Sequence, residues 1–165
     1  MLLLPTGTCK DKHLLALEAD YLKRLKKPWL LEVRELKASK AENPAQAKAE
    51  EAATQLAALK SLPAGTLPVL LHEHSPDLRS PKGVAGPNPT TEALAKQLQT
   101  WLNNGQTPAF FIGGAAGFHE SVLAAVPTRL SLSPLTFPHQ LCRVMLAEQV
   151  YRAYTLAIGH PYHRP

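Results

Sequence analysis

The stretch TPAFFIGGAAGF, residues 107–118, decides the fold class of this 165-residue chain. An apolar run ends directly at two glycines, and a third glycine follows at position 117. A strand that is apolar on both sides is typical of a parallel sheet covered by helices on both faces. Glycines at its end allow a tight strand-to-helix turn or the close approach of a ligand, and the spacing alone leaves both open.

Strands and helices alternate outward from this stretch. The pattern predicts, in order, a strand in LLLPTG, a helix at 10–27, a half-exposed strand in WLLEVREL, a helix at 43–62, a strand in TLPVLLHEH, a helix at 90–105 and the strand PAFFIGG. After HESVLAAV we expect a short strand in TRLSL and a last helix from about Pro138 to Ile158. Asn43 caps the second helix, and Gly159 and Pro161 end the last one. We expect a single α/β domain over residues 1–165, with a mostly parallel sheet and helices on both faces.

The charge distribution suits a polyanionic partner. The net charge is +5 and the sequence pI is about 9.3. Residues 1–40 carry nine basic and five acidic side chains (+4), residues 119–165 carry four and two (+2), and residues 41–118 carry five and six (−1). A basic excess at both ends favours contact with nucleic acid, although mild basicity is common in proteins of other kinds.

Several classes of protein are disfavoured by the same sequence. The longest apolar runs are far too short to span a membrane, and the run at the N-terminus is too short for a signal peptide, so we expect a cytoplasmic protein. Cys9 and Cys142 are expected to be reduced core residues. His72, Glu73 and His74 do not complete a metal site, so no metal is predicted.

The last helix has two apolar stripes, which predicts burial on two sides and therefore a second copy of the chain as partner. The first stripe comprises Leu141, Val144 and Met145, and the second Leu146, Val150, Ala153, Tyr154 and Ala157. Glu148 and Arg152 are four residues apart and could pair on the helix surface. The tail GHPYHRP is rich in His, Tyr and Arg, which favours a functional segment over a frayed end.

Three motifs resemble one known family. FFIGGAAGF, LSLSPLTFPHQLCRVMLAEQVYRAY and HPYHRP are similar, in order and spacing, to the ribosomal RNA large subunit methyltransferase H family, from about residue 107 to the end. The resemblance is looser over residues 1–71. These are small SPOUT-class enzymes that methylate N3 of a pseudouridine in 23S rRNA. The resemblance implies S-adenosylmethionine as cofactor, a homodimer and a C-terminal trefoil knot, with 23S rRNA of the ribosome as partner and no membrane.

The resemblance also implies site residues. The cofactor-binding positions are Leu71, His72, Gly113, Gly114, Leu132, Ser133, Pro134, Leu135, Thr136 and Phe137, of which the loop 132–137 wraps the adenine. The catalytic candidates are Arg143, Arg152, Tyr162 and His163. The substrate-binding candidates are His139 and Arg164, and His139 could instead be a structural residue at the helix start. One departure is that His72 stands where the family usually has Asp or Glu, followed by a longer, proline-rich loop.

Two other functions stay open at the level of sequence. A SPOUT methyltransferase acting on tRNA would have the same fold, because fold does not fix substrate. A non-catalytic module that binds RNA or the ribosome would share the basic ends. The short chain, with no added RNA-binding domain, favours a substrate that a dimer recognises in a large ribosomal cleft.

Overall fold

A five-stranded, fully parallel sheet forms the centre of the computed structural model, which describes residues 1–72, 89–133 and 135–162. The strand order is β2-β1-β4-β3-β5. The strands are β1 (Leu2–Pro5), β2 (Glu32–Val33), β3 (Thr66–Leu71), β4 (Thr107–Ile112) and β5 (Arg129–Leu130). The parallel α/β architecture predicted from the sequence is confirmed.

Five helices connect the strands and cover both faces. They are α1 (Lys12–Arg24), α2 (Pro44–Lys60), α3 (Thr91–Asn103), α4 (Glu120–Ala125) and α5 (His139–Ala157). Helix α5 packs against α1 and α3 on one face, while α2 and α4 share the other face. The four predicted helices, α1, α2, α3 and α5, are confirmed with ends that differ from the predicted ones by a few residues at most, whereas α4 was not predicted.

The two-sided burial of the inner strands explains their apolar sequence. Leu3 and Phe110 belong to the core under α3 and α5, whereas Leu4 and Phe111 belong to the core under α2 and α4. All four side chains are fully buried. Successive side chains of a strand point to opposite faces, so a strand in the middle of such a sheet needs apolar residues at every position.

Local signals set the helix ends. The Asn43 side chain accepts hydrogen bonds from the backbone N–H groups of Ala45 and Gln46 at 2.9 and 3.2 Å. At the end of α5, Gly159 adopts a φ of 68°, and the N–H of His160 donates to the carbonyl of Thr155 at 2.9 Å. Gly159 therefore ends α5 as predicted, since a left-handed residue there lets the chain bond back to the last turn.

The structure corrects two of the expectations, the length of two strands and the burial of the α5 stripes. The predicted strands WLLEVREL and TRLSL shrink to the two-residue strands β2 and β5. Most of the second stripe of α5 lies in the chain's own core, with Leu146, Val150 and Ala153 fully buried, whereas Met145 of the first stripe is half-buried and lines an open groove. No helix that the structure describes is long and apolar enough to cross a membrane. Cys9 is buried and neither cysteine forms a disulfide.

Candidate functional site

A cleft of about 680 Å³ opens at the carboxyl ends of β3, β4 and β5, beside the start of α5. Nine of the ten predicted cofactor-binding residues line it, and the tenth, Pro134, lies outside the described residues. The nine are Leu71, His72, Gly113, Gly114, Leu132, Ser133, Leu135, Thr136 and Phe137. Ligands of parallel α/β sheets bind at this edge, so the position agrees with a ligand site.

The glycine segment after β4 is a tight turn that also forms a wall of the cleft. The N–H of Gly117 donates to the carbonyl of Gly114 at 2.9 Å, and Gly117 has a φ of 78°. A Cβ at Gly113 would lie 3.1 Å from the carbonyl carbon of Gly117. The tight-turn interpretation is confirmed, and the ligand-binding interpretation stays a prediction that the position of the same glycines at the cleft supports.

The loop between β5 and α5 forms the opposite wall. The hydroxyl of Ser131 donates to the carbonyl of Ser133 at 2.8 Å, and the N–H of Leu135 donates to the Ser133 hydroxyl at 3.0 Å. These bonds fix the turn of the loop, while the Leu135 side chain stays 66% exposed at the cleft. An exposed leucine beside a pre-shaped backbone gives a flat, apolar ligand group a surface to pack on.

Two histidines flank the cleft. His72 follows β3, and its N–H donates to the carbonyl of Leu130 at 3.0 Å. His139 is the first residue of α5, lines the cleft, and lies with Nε2 3.9 Å from where a Cβ of Gly7 would be. His139 thus starts the helix and faces the cleft. Glu73 and His74, the other residues of the disfavoured metal hypothesis, lie outside the described residues.

A second polar cluster lies towards the end of α5. Glu148 Oε1 accepts hydrogen bonds from Arg152 Nη2 and, at 3.2 Å, from the Tyr162 hydroxyl. The Arg152 guanidinium lies 4.9 Å from the centre of the Tyr162 ring, which also packs edge-on against Tyr151 at 4.8 Å. The structure therefore brings two predicted catalytic residues, Arg152 and Tyr162, together. The tail folds back on α5, since the Tyr162 hydroxyl reaches Glu148, and His163 and Arg164 lie outside the described residues.

Burial and hydrogen bonds in this cluster raise the pKa values of Tyr162 and Arg152. Burial, and then the neighbouring hydroxyl of Tyr21 and the charge of Glu148, raise the pKa of Tyr162 above its usual range. The hydrogen bond to Glu148 raises the pKa of Arg152. At neutral pH Tyr162 is therefore a neutral phenol that donates a proton, and Arg152 is a cation. Such a pair can stabilise negative charge, but Tyr162 is unsuited to accept a proton as a general base.

Arg143, also predicted to be catalytic, belongs to a separate buried network. Its Nε and Nη2 donate to the two carboxylate oxygens of Glu18 at 2.9 and 2.8 Å, and Nη1 donates to Glu35 at 2.8 Å. Burial opposes the charge, but the bonds to both carboxylates outweigh it and raise the pKa of Arg143. This geometry is that of an ion pair joining α1 and the end of β2 to α5, and it leaves a direct role in catalysis without structural support.

The two groups of site residues are far apart within one chain. Cys142 lines the cleft, whereas Arg152 lies ten residues further along the same helix, a rise of about 15 Å at 1.5 Å per residue. Between them lies a groove of about 390 Å³ that contains Leu17, Met145 and Glu148. The leucine is 51% exposed. One chain alone therefore does not place Arg152 and Tyr162 at its own cleft.

Several residues near these sites were not predicted from the sequence. Glu18 and Glu51 are buried acids on helices, Glu35 pairs with Arg143, and Lys48 lines the cleft. A Glu in a helix normally indicates a solvent-exposed position, so no local signal marks Glu18 or Glu51. The partner of Glu18 lies far away in the sequence, since Glu18 and Arg143 are 125 residues apart.

The fold and the cleft together define an α/β domain with an open cleft at the carboxyl edge of a parallel sheet. Comparison with known proteins is more specific. A family model described as "Predicted SPOUT methyltransferase" matches residues 1–163. The chain is 38% identical to the ribosomal RNA large subunit methyltransferase H of Laribacter hongkongensis, over 98% of this chain and 97% of that protein.

Two further relatives carry the same name. The protein from Bordetella avium is 40% identical over 88% of this chain and 86% of its own length. The protein from Alkalilimnicola ehrlichii is 57% identical over 74 residues, an alignment that spans 45% of this chain and just under half, 48%, of that relative. The chain therefore belongs to the SPOUT methyltransferase family, within the group of ribosomal RNA large subunit methyltransferase H proteins.

Proposed function

We propose that the chain is an S-adenosylmethionine-dependent methyltransferase that methylates N3 of a pseudouridine in 23S rRNA of the ribosome. The observation that carries the proposal is the cleft, because nine cofactor-binding residues predicted from three separate segments of the sequence line it together. The names of the relatives supply the class of RNA.

The residues of the cleft fit this cofactor. Its volume of about 680 Å³ lies in the range of small-molecule sites. The loop 132–137 offers backbone groups and the exposed Leu135 to an adenine, and the glycine turn offers a wall without side chains to the methionine end. When bound, the cofactor supplies a methyl carbon activated by a sulfonium.

The residues of this chain would bind and orient the pseudouridine and stabilise the charge that develops on it. N3 of pseudouridine is a weakly acidic imide nitrogen, which loses its proton as the N–C bond forms. Arg152, held by Glu148, and the Tyr162 hydroxyl can stabilise the negative charge that develops on the imide oxygens. Since Tyr162 keeps its proton, His163 stays our candidate for accepting the N3 proton.

A homodimer would join the two groups of residues. Arg152 lies about 15 Å further along α5 than Cys142 at the cleft of its own chain, and the Tyr162 ring packs against Arg152. If two α5 helices pack antiparallel, the end of one helix comes beside the start of the other. The groove between the two groups has the exposed Leu17 and the half-buried Met145, which such packing would cover. The active site would then consist of the cleft of one chain and the tail of its partner.

Three further properties belong to this proposal. We infer a single SPOUT domain over residues 1–165, since strands from residue 2 to residue 130 join one sheet. We infer a C-terminal trefoil knot, which is supported by the path of α5: it follows the edge strand β5 yet packs against β1 and β4 in the middle of the sheet. We infer a cytoplasmic location, because ribosomes are the substrate.

A methyl-transfer assay tests the proposal. Purified protein is incubated with cofactor that carries a labelled methyl group. Three possible substrates without the N3 methyl group are offered separately: intact ribosomes, free 23S rRNA and tRNA. The expected result is label in 23S rRNA of ribosomes, located at N3 of a pseudouridine by nuclease digestion and mass spectrometry. Label in tRNA alone would replace the proposal by a tRNA methyltransferase, and cofactor binding without transfer would indicate a non-catalytic module.

A further inference from the structure

A buried carboxylate lies at the glycine end of the cleft and has no role in the site described above. Glu51, on α2, is 6% exposed. Its Oε1 accepts a hydrogen bond from the N–H of Ser39 at 3.2 Å, while its Oε2 has no hydrogen-bond partner among the described residues. Burying a carboxylate oxygen without a donor costs free energy, so such an atom calls for an explanation.

The position of this carboxylate relates it to the cleft. A Cβ on Gly114 would lie 2.5 Å from Glu51 Oε2 and 2.8 Å from Oε1. The carboxylate therefore lies directly against the α-carbon of Gly114, with no side chain between them. Gly114 lines the cleft, and the turn that continues from it to Gly117 consists of uncharged alanine and glycine. The carboxylate is therefore separated from the cleft by the backbone of Gly114.

Two charged neighbours on α2 differ from Glu51 in position. Lys48, three residues earlier, lines the cleft with its side chain. Glu50 is exposed and accepts hydrogen bonds from the Ser39 hydroxyl at 2.5 Å and from Gln46 at 2.9 Å. Of the acidic residues on this helix, only Glu51 is buried at the cleft.

We propose that Glu51 is a specificity residue of the cofactor site: its buried carboxylate favours the positively charged sulfonium of the methyl donor over the neutral sulfide product. The inference rests on the proposed function, with adenine at the loop 132–137 and the sulfonium near Gly114. The two ligands differ by one methyl group and one positive charge. An attraction between opposite charges a few ångströms apart that is screened almost as strongly as in water changes an affinity about fivefold to tenfold. Product release is thereby favoured once the methyl group has left.

Calorimetric titration with S-adenosylmethionine and S-adenosylhomocysteine tests this role. In Glu51→Gln, which keeps the shape of the side chain, we expect the Kd of S-adenosylmethionine to rise about fivefold to tenfold and that of S-adenosylhomocysteine to rise less than about twofold. The matched control Glu50→Gln removes the same charge from the outer surface and should change neither Kd. Lys48→Met removes the opposing charge and should increase the preference for S-adenosylmethionine.

The ratio of the two Kd values separates the outcomes. Equal weakening of both ligands in Glu51→Gln would show damage to the glycine turn and overturn the proposal, as would an unchanged ratio. Thermal unfolding shows whether Glu51→Gln folds. If it does not fold, Lys48→Met is the remaining test. A preference for S-adenosylmethionine that does not increase in Lys48→Met overturns the electrostatic role. Failure of the wild-type protein to bind either ligand would instead contradict the proposed function.

Discussion

At the scale of single residues, the side chains whose positions were not predicted from the sequence are mainly buried charged ones. Arg143, Glu18 and Glu51 lie inside the protein, although each belongs to a residue type that is normally exposed. Arg143 was predicted to be catalytic from its place in a family motif, and the structure gives it two carboxylate partners. The motif predicted a catalytic role for Arg143, whereas its contacts are those of a buried ion pair.

The first prediction concerns the Arg143 network. Arg143→Met leaves the carboxylate of Glu18 buried without its partner, and breaking such a pair costs about 3–5 kcal/mol. We expect a correspondingly lower free energy of unfolding in urea titration. The control Arg24→Met removes a surface pair with Asp20 and should have only a small effect. Wild-type stability together with abolished methyl transfer would instead make Arg143 a catalytic residue.

The second prediction concerns the pH dependence of Tyr162. Because burial and its neighbours raise its pKa, Tyr162 should keep its proton beyond the ordinary value of about 10. A group whose pKa is raised on folding adds stability below its unfolded pKa, and that stability is lost as the pH rises through the folded pKa. Absorbance at 295 nm, compared between wild type and Tyr162→Phe, measures this ionisation. Half-ionisation at or below pH 10 would contradict the prediction.

At the scale of elements, local signals predicted the helices well and the short edge strands poorly. Asn43 and Gly159 act on their own neighbours, so their effect is visible in the sequence. The strands β2 and β5 are limited to two residues each by pairing with strands remote in sequence. The stripes of α5 indicated burial on two sides, but which side faces the chain's own sheet depends on the path of the chain.

The third prediction concerns the free face of α5. The fully buried Val150 belongs to the core, so Val150→Glu should unfold the chain and cannot test the dimer. Met145 lines the open groove with Leu17, and Met145→Glu should therefore yield a folded monomer in sedimentation. Leu30→Glu adds the same charge at a loop residue that is 45% exposed and should leave the dimer intact. A stable Met145→Glu dimer would contradict the proposed interface.

At the scale of the whole molecule, the cleft was predictable and the composite site was not visible in one chain. The resemblance to a family supplied Leu71, Gly114 and Phe137 from distant segments, and the folded chain brings them together. It also supplied Arg152 and Tyr162, which the same chain holds away from the cleft. We therefore propose that methyl transfer needs the cleft of one chain and the tail of another.

Mixed dimers test this claim most directly. One variant lacks residues 160–165 and keeps the cleft, and the other, Gly114→Val, keeps the tail but forces a side chain against Glu51 at the cleft wall. Both are unfolded, mixed and refolded together, and sedimentation confirms that they dimerise. Each variant alone should transfer no methyl groups to ribosomes. Random mixing makes half of the dimers hybrid, each with one complete site, so the mixture should regain about a quarter of wild-type activity. A mixture as inactive as its two components, or full activity of the chain without its tail, would contradict the composite site.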